Sequence, residues 1–373
     1  EDGVFVTQNG GKTWSQMKRN LPTIAVRDIE IQRRENDLVV GTFGRGIYVV
    51  DDYTPLRTDA SSLEEFHLFA PRDPWLFVEG DRWGGSEKGS IGNAFFTAPN
   101  PNFGAVLRYF VRDGLESRKK IRRAAERVIA SEGGDTPYPS WDALRTEDRE
   151  LKPAVYLIIR DAEGRLIRQV TAKSSAGLHQ TAWDLRLPAP EPVSITSGGS
   201  RPYWMRDPIG PLVLPGKYSA RLAIERDGVL TDTGARRSFT VKALPESGEI
   251  TTDRQALQIF QLEVASLQRA VRGSVKAMAE LRNRLAHLRA TMRVTPAMTA
   301  EDRAAVTSLE ARLLDLGVRF NGDRTVSSRN EPAPMGIASR VSSIYGTLVN
   351  SQSAVGQNFR GSYQVATEEF SLA

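Results

Sequence analysis

The sequence contains no cysteine and only three histidines among its 373 residues. The lack of cysteine excludes disulfides, thiolate nucleophiles and cysteine metal ligands. His67, His179 and His287 lie far apart, and none has a second histidine four residues away, as a zinc-binding helix requires. Phosphate loops, dinucleotide fingerprints and nucleophile elbows are also missing from the sequence. We therefore expect no metal, no cofactor and no catalytic residue in this chain.

Long apolar runs are missing too. A membrane helix needs roughly 18 or more consecutive apolar residues, so we expect no transmembrane segment. The net charge of +5 is mild for a chain of this length. The main basic run, residues 118–123, falls in a predicted helix without an aromatic platform, which favours a solvated helical face over a nucleic-acid patch. We accordingly expect no nucleic-acid partner.

Residues 7–14, Thr-Gln-Asn-Gly-Gly-Lys-Thr-Trp, fit the pattern [ST]-x-[DN]-x-G-x-[TS]-W, known as an Asp box, which closes a β-hairpin. The structural positions of the pattern are Thr7, Asn9, Gly11, Thr13 and Trp14. Asparagine and glycine suit the positive φ angles of a tight turn, and threonine can satisfy a turn amide. The Trp14 ring is expected to pack against neighbouring strands, so that Trp14→Ala would cost about 3–5 kcal/mol.

Three further short strands are predicted after the box, at residues 26–31, 37–42 and 46–50. This is the scale of one β-propeller repeat. Since a single blade cannot bury a propeller core, residues 1–58 are predicted to be the last blades of an incomplete propeller. The expected partners are the remaining blades of the same protein, supplied by an N-terminal segment outside this chain.

The Asp box, the run Val39-Val-Gly-Thr-Phe-Gly-Arg-Gly-Ile-Tyr-Val-Val-Asp-Asp52 and the segment 55–57 together resemble the C-terminal end of bacterial sortilin-type propeller proteins with Asp-box (bacterial neuraminidase) repeats. The resemblance covers essentially the whole chain. It implies a last blade followed by a β-sandwich and a helical domain, and a periplasmic or extracellular location. Such proteins are often labelled glycosyl hydrolases, although the Asp box itself carries no catalytic group.

The rest of the chain divides by composition. Residues 59–104 are predicted to be a linker and packing segment, and residues 105–245 an Ig-like β-sandwich with a helical insertion near 116–150. Trp183 is predicted to lie in the sandwich core. Residues 250–373 are predicted to form a helical bundle. The fold class is therefore mainly β with a C-terminal α domain.

Apolar residues recur at helical spacing in three segments of the C-terminal region. Thr299 is a predicted N-cap, with Glu301 and Asp302 in the first helical turn. An antiparallel three-helix bundle is the economical interpretation, and a partner-binding coiled coil is the alternative.

Two further stretches are candidate binding sites. The insertion at 196–208 carries aromatic and basic residues suited to a protein or glycan contact: Arg201, Tyr203, Trp204 and Arg206. The alternative is that this loop packs internally between domains. Asp51-Asp52 ends a predicted strand, where we expect a solvated pair, the alternative being a calcium role.

Two functional classes follow from the sequence. The first is a non-catalytic scaffold or interaction protein of the bacterial envelope, which presents propeller and Ig-like surfaces to protein or glycan partners. The second is a glycoside hydrolase whose active site lies on the propeller face, mostly outside this chain. The sequence favours the first, because no nucleophile–base pair can be assembled from it and a fold by itself does not define a function.

Overall fold

The computed structural model describes residues 3–18, 20–80, 98, 100–193, 207–244 and 253–373. The chain divides into two compact units, which are Glu1–Leu185 with Pro215–Leu244, and Arg186–Leu214 with Pro245–Ala373. Strands account for 26% of the structure and helices for 37%. The prediction of sheets followed by a C-terminal helical region is confirmed, whereas the prediction of a mainly β chain is not.

The first unit begins with two small antiparallel sheets. One is a hairpin of β1 (Val4–Val6) and β2 (Ser15–Met17). The other has the order β3-β4-β5 and contains β3 (Val26–Gln32), β4 (Asp37–Thr42) and β5 (Ile47–Val50). The three strands predicted from alternating apolar residues thus lie within about one residue of their expected positions.

Two larger sheets make up the rest of the first unit. A three-stranded sheet, ordered β11-β8-β6, contains β6 (Phe66–Leu68), β8 (Ala105–Val111) and β11 (Gly177–Trp183). A five-stranded sheet, ordered β10-β9-β12-β13-β7, contains β7 (Trp75–Leu76), β9 (Ala154–Asp161), β10 (Leu166–Ala172), β12 (Gly216–Arg226) and β13 (Val229–Ala243). The short β7 pairs with β13 in parallel, whereas the other three strand pairs of this sheet are antiparallel.

Trp183 links the two larger sheets. It is 1% exposed, and its ring centroid lies 5.5 Å from that of Tyr218 on β12 and 6.2 Å from that of Phe239 on β13. Gly104, with φ 95°, allows the chain to approach closely, since a Cβ there would lie 2.0 Å from the Trp183 carbonyl oxygen. The prediction that Trp183 belongs to the core is confirmed.

Two helices interrupt the strands between β8 and β9. They are α1 (Arg118–Ser131) and α2 (Trp141–Arg149), and the hydroxyls of Ser117 and Ser140 cap their N-termini. Arg122 joins them by pairing with Glu147 at 2.6 Å. Both helices are described throughout and neither buries a residue, so they form a surface feature of the first unit.

The second unit is helical. It contains α3 (Arg254–Val294), α4 (Ala300–Asn321), the short α5 (Arg324–Ser327), α6 (Ile337–Leu348) and α7 (Gln357–Ser371). The third helix predicted from the sequence is instead two helices, α6 and α7. The polar stretch Asn350–Ser353 and Gly356 separate them, because they interrupt the apolar repeat.

Local capping and apolar clustering account for these helices. Thr299 caps α4 as predicted: the Asp302 amide donates to its hydroxyl at 3.1 Å, and the Thr299 amide donates to the Asp302 carboxylate at 2.9 Å. Leu267 and Val271 of α3 cluster with Phe320 of α4 and with residues of α6 and α7. The core of this unit therefore lies along the first half of α3.

Segments 186–193 and 207–214 belong to the helical unit, although the sequence grouped them with the β-sandwich. Arg186 donates to the Gly210 carbonyl at 2.9 Å and to the Asn350 side chain at 2.8 Å. The Tyr345 hydroxyl donates to the Ile209 carbonyl at 2.7 Å. Tyr345 of α6, together with Gln258 of α3, which donates to the Leu212 carbonyl at 2.8 Å, thus satisfies main-chain groups that a sheet would otherwise satisfy.

The buried tyrosines predict a loss of stability at alkaline pH. Burial raises the pKa of Tyr218 and of Tyr345 from 10.0 to about 12. A raised folded pKa contributes stability that is complete below pH 10 and is lost as the pH rises through 12. Each tyrosine accounts for about 2–3 kcal/mol by this linkage. We expect urea titrations at rising alkaline pH to show Tyr218→Phe losing less stability than the parent.

Tyr138→Phe is the matched control, since Tyr138 is 76% exposed. It should follow the parent at every pH. Equal alkaline sensitivity of the parent and Tyr218→Phe would contradict the assignment.

Candidate functional site

The Asp-box residues form a hydrogen-bonded turn between β1 and β2. The Gly11 amide donates to the Thr7 hydroxyl and the Thr13 amide to the Asn9 side-chain oxygen, both at 2.9 Å. The Asn9 side-chain amide donates to the Thr13 hydroxyl at 2.8 Å. Gly10 and Gly11 have φ angles of 71° and 90°, which glycine adopts without strain. These residues shape a turn and leave no side chain free for chemistry.

Trp14 does not pack against the strands, and the expectation that it does is wrong. It is 60% exposed, and its indole N–H donates to the Gly11 carbonyl at 3.1 Å. The ring therefore folds over its own turn. A two-stranded hairpin offers a large ring little apolar surface, whereas the turn carbonyl satisfies its one polar group.

The two tryptophans should respond very differently to truncation. We expect Trp183→Ala to cost about 3–5 kcal/mol as a deletion from a closed core. Trp14→Ala should cost about 1 kcal/mol or less, because the exposed ring loses one hydrogen bond and little buried area. Chemical denaturation of both variants measures the difference. A cost for Trp14→Ala as large as that for Trp183→Ala would show that this ring is covered in solution.

An apolar pocket of about 470 Å³ lies beside the turn, within the first unit. Its apolar walls come from the β1–β2 hairpin, from β3 and β4, and from the segment that follows β5: Val4, Val6, Met17, Ile29, Ile31, Leu38 and Leu56. Its polar side chains are already used, since Gln8 donates to the Leu56 carbonyl at 2.6 Å and Arg57 to the Tyr53 hydroxyl at 2.9 Å. Such a pocket suits apolar packing better than the orientation of a polar substrate.

The β3–β5 sheet carries apolar side chains on both faces. Ile29, Val40 and Tyr48 share one face of the sheet. This face lines the pocket, since Ile29 is part of the pocket wall. Val39 pairs with Val49, and Ile47 shares their face two residues away on β5. Ile47 is 73% exposed and Val49 is 53% exposed. One face is thus partly covered, and the other presents branched apolar side chains to solvent.

A buried ion pair follows β5. Asp52 is 5% exposed and has φ 52°, and its carboxylate accepts from the Arg108 guanidinium and from the Thr54 amide. The second terminal nitrogen of Arg108 donates to the Asp51 carbonyl at 2.9 Å. The expectation of a solvated pair at Asp51-Asp52 is therefore wrong for Asp52. The partner residue lies 56 positions along the chain, on β8, where no local pattern could identify it.

More charges surround this pair. Arg72 lies 3.3 Å from a Glu35 carboxylate oxygen and 3.2 Å from one of Asp37, and the Asp37 carboxylate also accepts from the Asp52 amide at 2.8 Å. Burial lowers the pKa of Arg108, and the Asp52 carboxylate opposes that change. The cluster thus alternates in sign and its groups are paired, which suits a structural role. Over the described part of the chain, no group of three or more histidine or carboxylate side chains could hold a metal ion.

Removing one partner of this pair should be strongly destabilising. We expect Arg108→Met to cost about 3–5 kcal/mol, because it leaves the Asp52 carboxylate buried without its cation. Adding Asp52→Asn removes that charge, and asparagine tolerates the positive φ at this position. The double variant should therefore be more stable than Arg108→Met alone. Urea denaturation of the two single variants and the double variant gives the coupling free energy, and strictly additive costs would contradict a direct pair.

The predicted binding loop, with Arg201, Tyr203, Trp204 and Arg206, lies outside the described residues. The three histidines are on different elements: His67 on β6, His179 on β11 and His287 on α3. Burial lowers the pKa of His67, and the positive charge of Arg237 lowers it further by a smaller amount. Among the helices described, none is long and apolar enough to cross a membrane.

Comparison with known proteins identifies no family for this sequence. The sequence matches no protein-family model, and no curated protein shows significant similarity to it.

Proposed function

We propose that this chain is a non-catalytic scaffold of the bacterial envelope, which presents propeller and Ig-like surfaces to protein or glycan partners. The observation that carries the proposal is the β3–β5 sheet, with apolar side chains on both faces and Ile47 and Val49 exposed on one of them. Branched apolar side chains gathered on a small sheet mark a surface that another element covers.

Further blades of the same protein are the covering element in this proposal. In a propeller, blades stack around a central axis, so that each internal blade has neighbours on both faces. The pocket between the β1–β2 hairpin and the β3–β4 surface corresponds to one such space between blades. The Val39–Ile47–Val49 face corresponds to the next. The two facing sheets of the first unit supply the Ig-like part, and the helices of the second unit supply the bundle.

The resemblance to sortilin-type Asp-box proteins supports the periplasmic or extracellular placement in this proposal. The hydrogen-bonded turn formed by Thr7, Asn9, Gly11 and Thr13 supports the structural role of the box. Beside this turn, the Gln8 side chain donates to the Leu56 carbonyl and the Arg57 side chain to the Tyr53 hydroxyl. The site therefore fits a surface of recognition and assembly better than a reaction centre.

A binding experiment tests the scaffold. The purified chain is passed over the immobilised remaining blades of the same protein, and binding is compared between the parent and the double variant Ile47→Ser/Val49→Ser. We expect the double variant to lose at least about tenfold in affinity, because it removes two exposed branched side chains from one face. Ile121→Ser/Val128→Ser on α1 is the matched control, since both residues are similarly exposed, at 57% and 56%. Its affinity should stay at the parent value.

An activity assay decides between this proposal and the hydrolase alternative. Because the alternative places its active site mostly outside this chain, the chain is assayed together with the remaining blades of the same protein on a panel of aryl glycosides, and no turnover is expected. Turnover that disappears when one carboxylate is replaced by its amide would overturn the scaffold proposal. Unchanged binding by Ile47→Ser/Val49→Ser would instead show that this sheet face is not the surface used.

A further inference from the structure

The long helix α3 follows a seven-residue apolar repeat along its whole length. Six residues spaced by seven form the first row of this repeat: Leu257, Val264, Val271, Met278, Leu285 and Met292. All of them are buried except Met278, which is partly buried. A second row precedes the first by four residues and contains Phe260, Leu267, Leu281 and Leu288. Such a repeat is the pattern of a helix that packs along two rows of side chains.

The second row is covered only in the first half of α3. Phe260 is buried against Ile344 and Leu348 of α6, and Leu267 is buried with Ile337 and Val341 of the same helix. Farther along, Leu281 is 43% exposed and Leu288 is 45% exposed, while Leu285 and Met292 of the first row stay buried. The half of α3 that pairs with the start of α4 therefore has one row buried and one row open.

Helix α4 repeats this arrangement. Leu313 is 5% exposed, whereas Leu309, four residues earlier, is 45% exposed. Arg289, four residues after Leu285, and Glu310, three residues before Leu313, pair at 2.7 Å and so define one edge of the α3–α4 hairpin. Residues four positions before the buried row lie at the opposite edge. Leu281, Leu288 and Leu309 therefore share one edge, which we call the leucine edge.

We propose that the leucine edge is a contact between two copies of this chain, in which two α3–α4 hairpins pair about a two-fold axis into a four-helix bundle. Each hairpin supplies two helices with one open apolar row, and a two-fold contact uses the same surface on both partners. The contact also continues the internal packing, because the partner hairpin takes the place along the second row that α6 occupies beside Phe260 and Leu267.

Charges at the rim of the edge suit such a pairing. Arg284 and Arg312 each precede a buried leucine by one residue, in the middle of the hairpin, whereas Asp302 lies at its tip. An antiparallel partner turned about an axis that crosses the hairpin near Leu288 and Leu309 sets α4 against α4, and so brings its Asp302 towards Arg312. Opposite charges then meet across the contact, and a second copy of the same sequence supplies both signs.

The size of the surface sets the expected strength. Residues 276–294 span about 28 Å at 1.5 Å per residue. Two helices about 9 Å apart present a face about 20 Å wide, or about 550 Å² from each partner. This is below the roughly 800 Å² per partner of a standard interface. We therefore expect a reversible dimer with a dissociation constant in the micromolar range.

Sedimentation velocity of the full chain between about 1 and 200 µM tests the dimer, since this range spans the affinity expected of a small interface. The parent should shift from monomer to dimer across the range. Leu288→Glu/Leu309→Glu and Arg312→Glu should each raise the dissociation constant, the leucine variant by at least about tenfold. Ile259→Glu/Leu262→Glu is the matched control, because both residues are exposed elsewhere on α3, at 52% and 43%. It should dimerise as the parent does.

Cysteine cross-linking locates the contact without relying on variants that weaken it. The chain has no cysteine, so a single introduced thiol can form a disulfide only with a second copy. Leu309→Cys lies near the proposed axis and should give a cross-linked dimer under mild oxidation, while Ile259→Cys should not. A parent that stays monomeric at the highest concentration would overturn the proposal. So would a dimer that forms equally well in Leu288→Glu/Leu309→Glu.

Discussion

The first unit depends on the buried ion pair between Arg108 and Asp52. Arg108 lies on β8, the central strand of the three-stranded sheet, and Asp52 lies just after β5. The carbonyl of Arg108 also accepts from the Phe69 amide at 3.0 Å, so the same residue holds the chain that leaves β6 and the turn that leaves β5. An ion pair constrains direction as well as distance, which apolar packing does not. The geometry of the small sheet relative to its larger neighbour thus rests on a charge interaction removed from water.

Both surfaces to which we assign partners arise in the same way. On the β3–β5 sheet, a regular repeat places apolar residues on both faces, and on the α3–α4 hairpin it places them in two rows. In each case the rest of the chain covers one face or row better than the other. Val40 is fully buried while Val49, on the next strand, is half exposed. Leu285 is buried while Leu288 is open. Secondary structure sets the repeat, but tertiary packing decides how much of it is covered.

Features set by neighbouring residues could be predicted from the sequence. The turn between β1 and β2, the strands of the β3–β5 sheet, the Thr299 cap and the length of α3 all follow from local hydrogen bonding and periodicity. Features that depend on distant partners could not. Asp52 pairs with Arg108, and the Trp14 ring packs over its own turn instead of a neighbouring strand. Residues 186–193 and 207–214 belong to the helical unit. The binding role of Arg201, Tyr203, Trp204 and Arg206 stays a prediction, because these residues lie outside the described part of the chain.

The order of the two units along the chain constrains how the protein is made. The chain leaves the first unit at Leu185, contributes Arg186–Leu214 to the second, returns for β12 and β13, and then leaves again. The ribosome therefore completes the first unit only after Arg186–Leu214 has been synthesised, and this segment then waits for helices that begin at Arg254. No single cut separates the units. A fragment that ends near residue 244 would keep every strand of the first unit and carry an inserted segment deprived of its helical support.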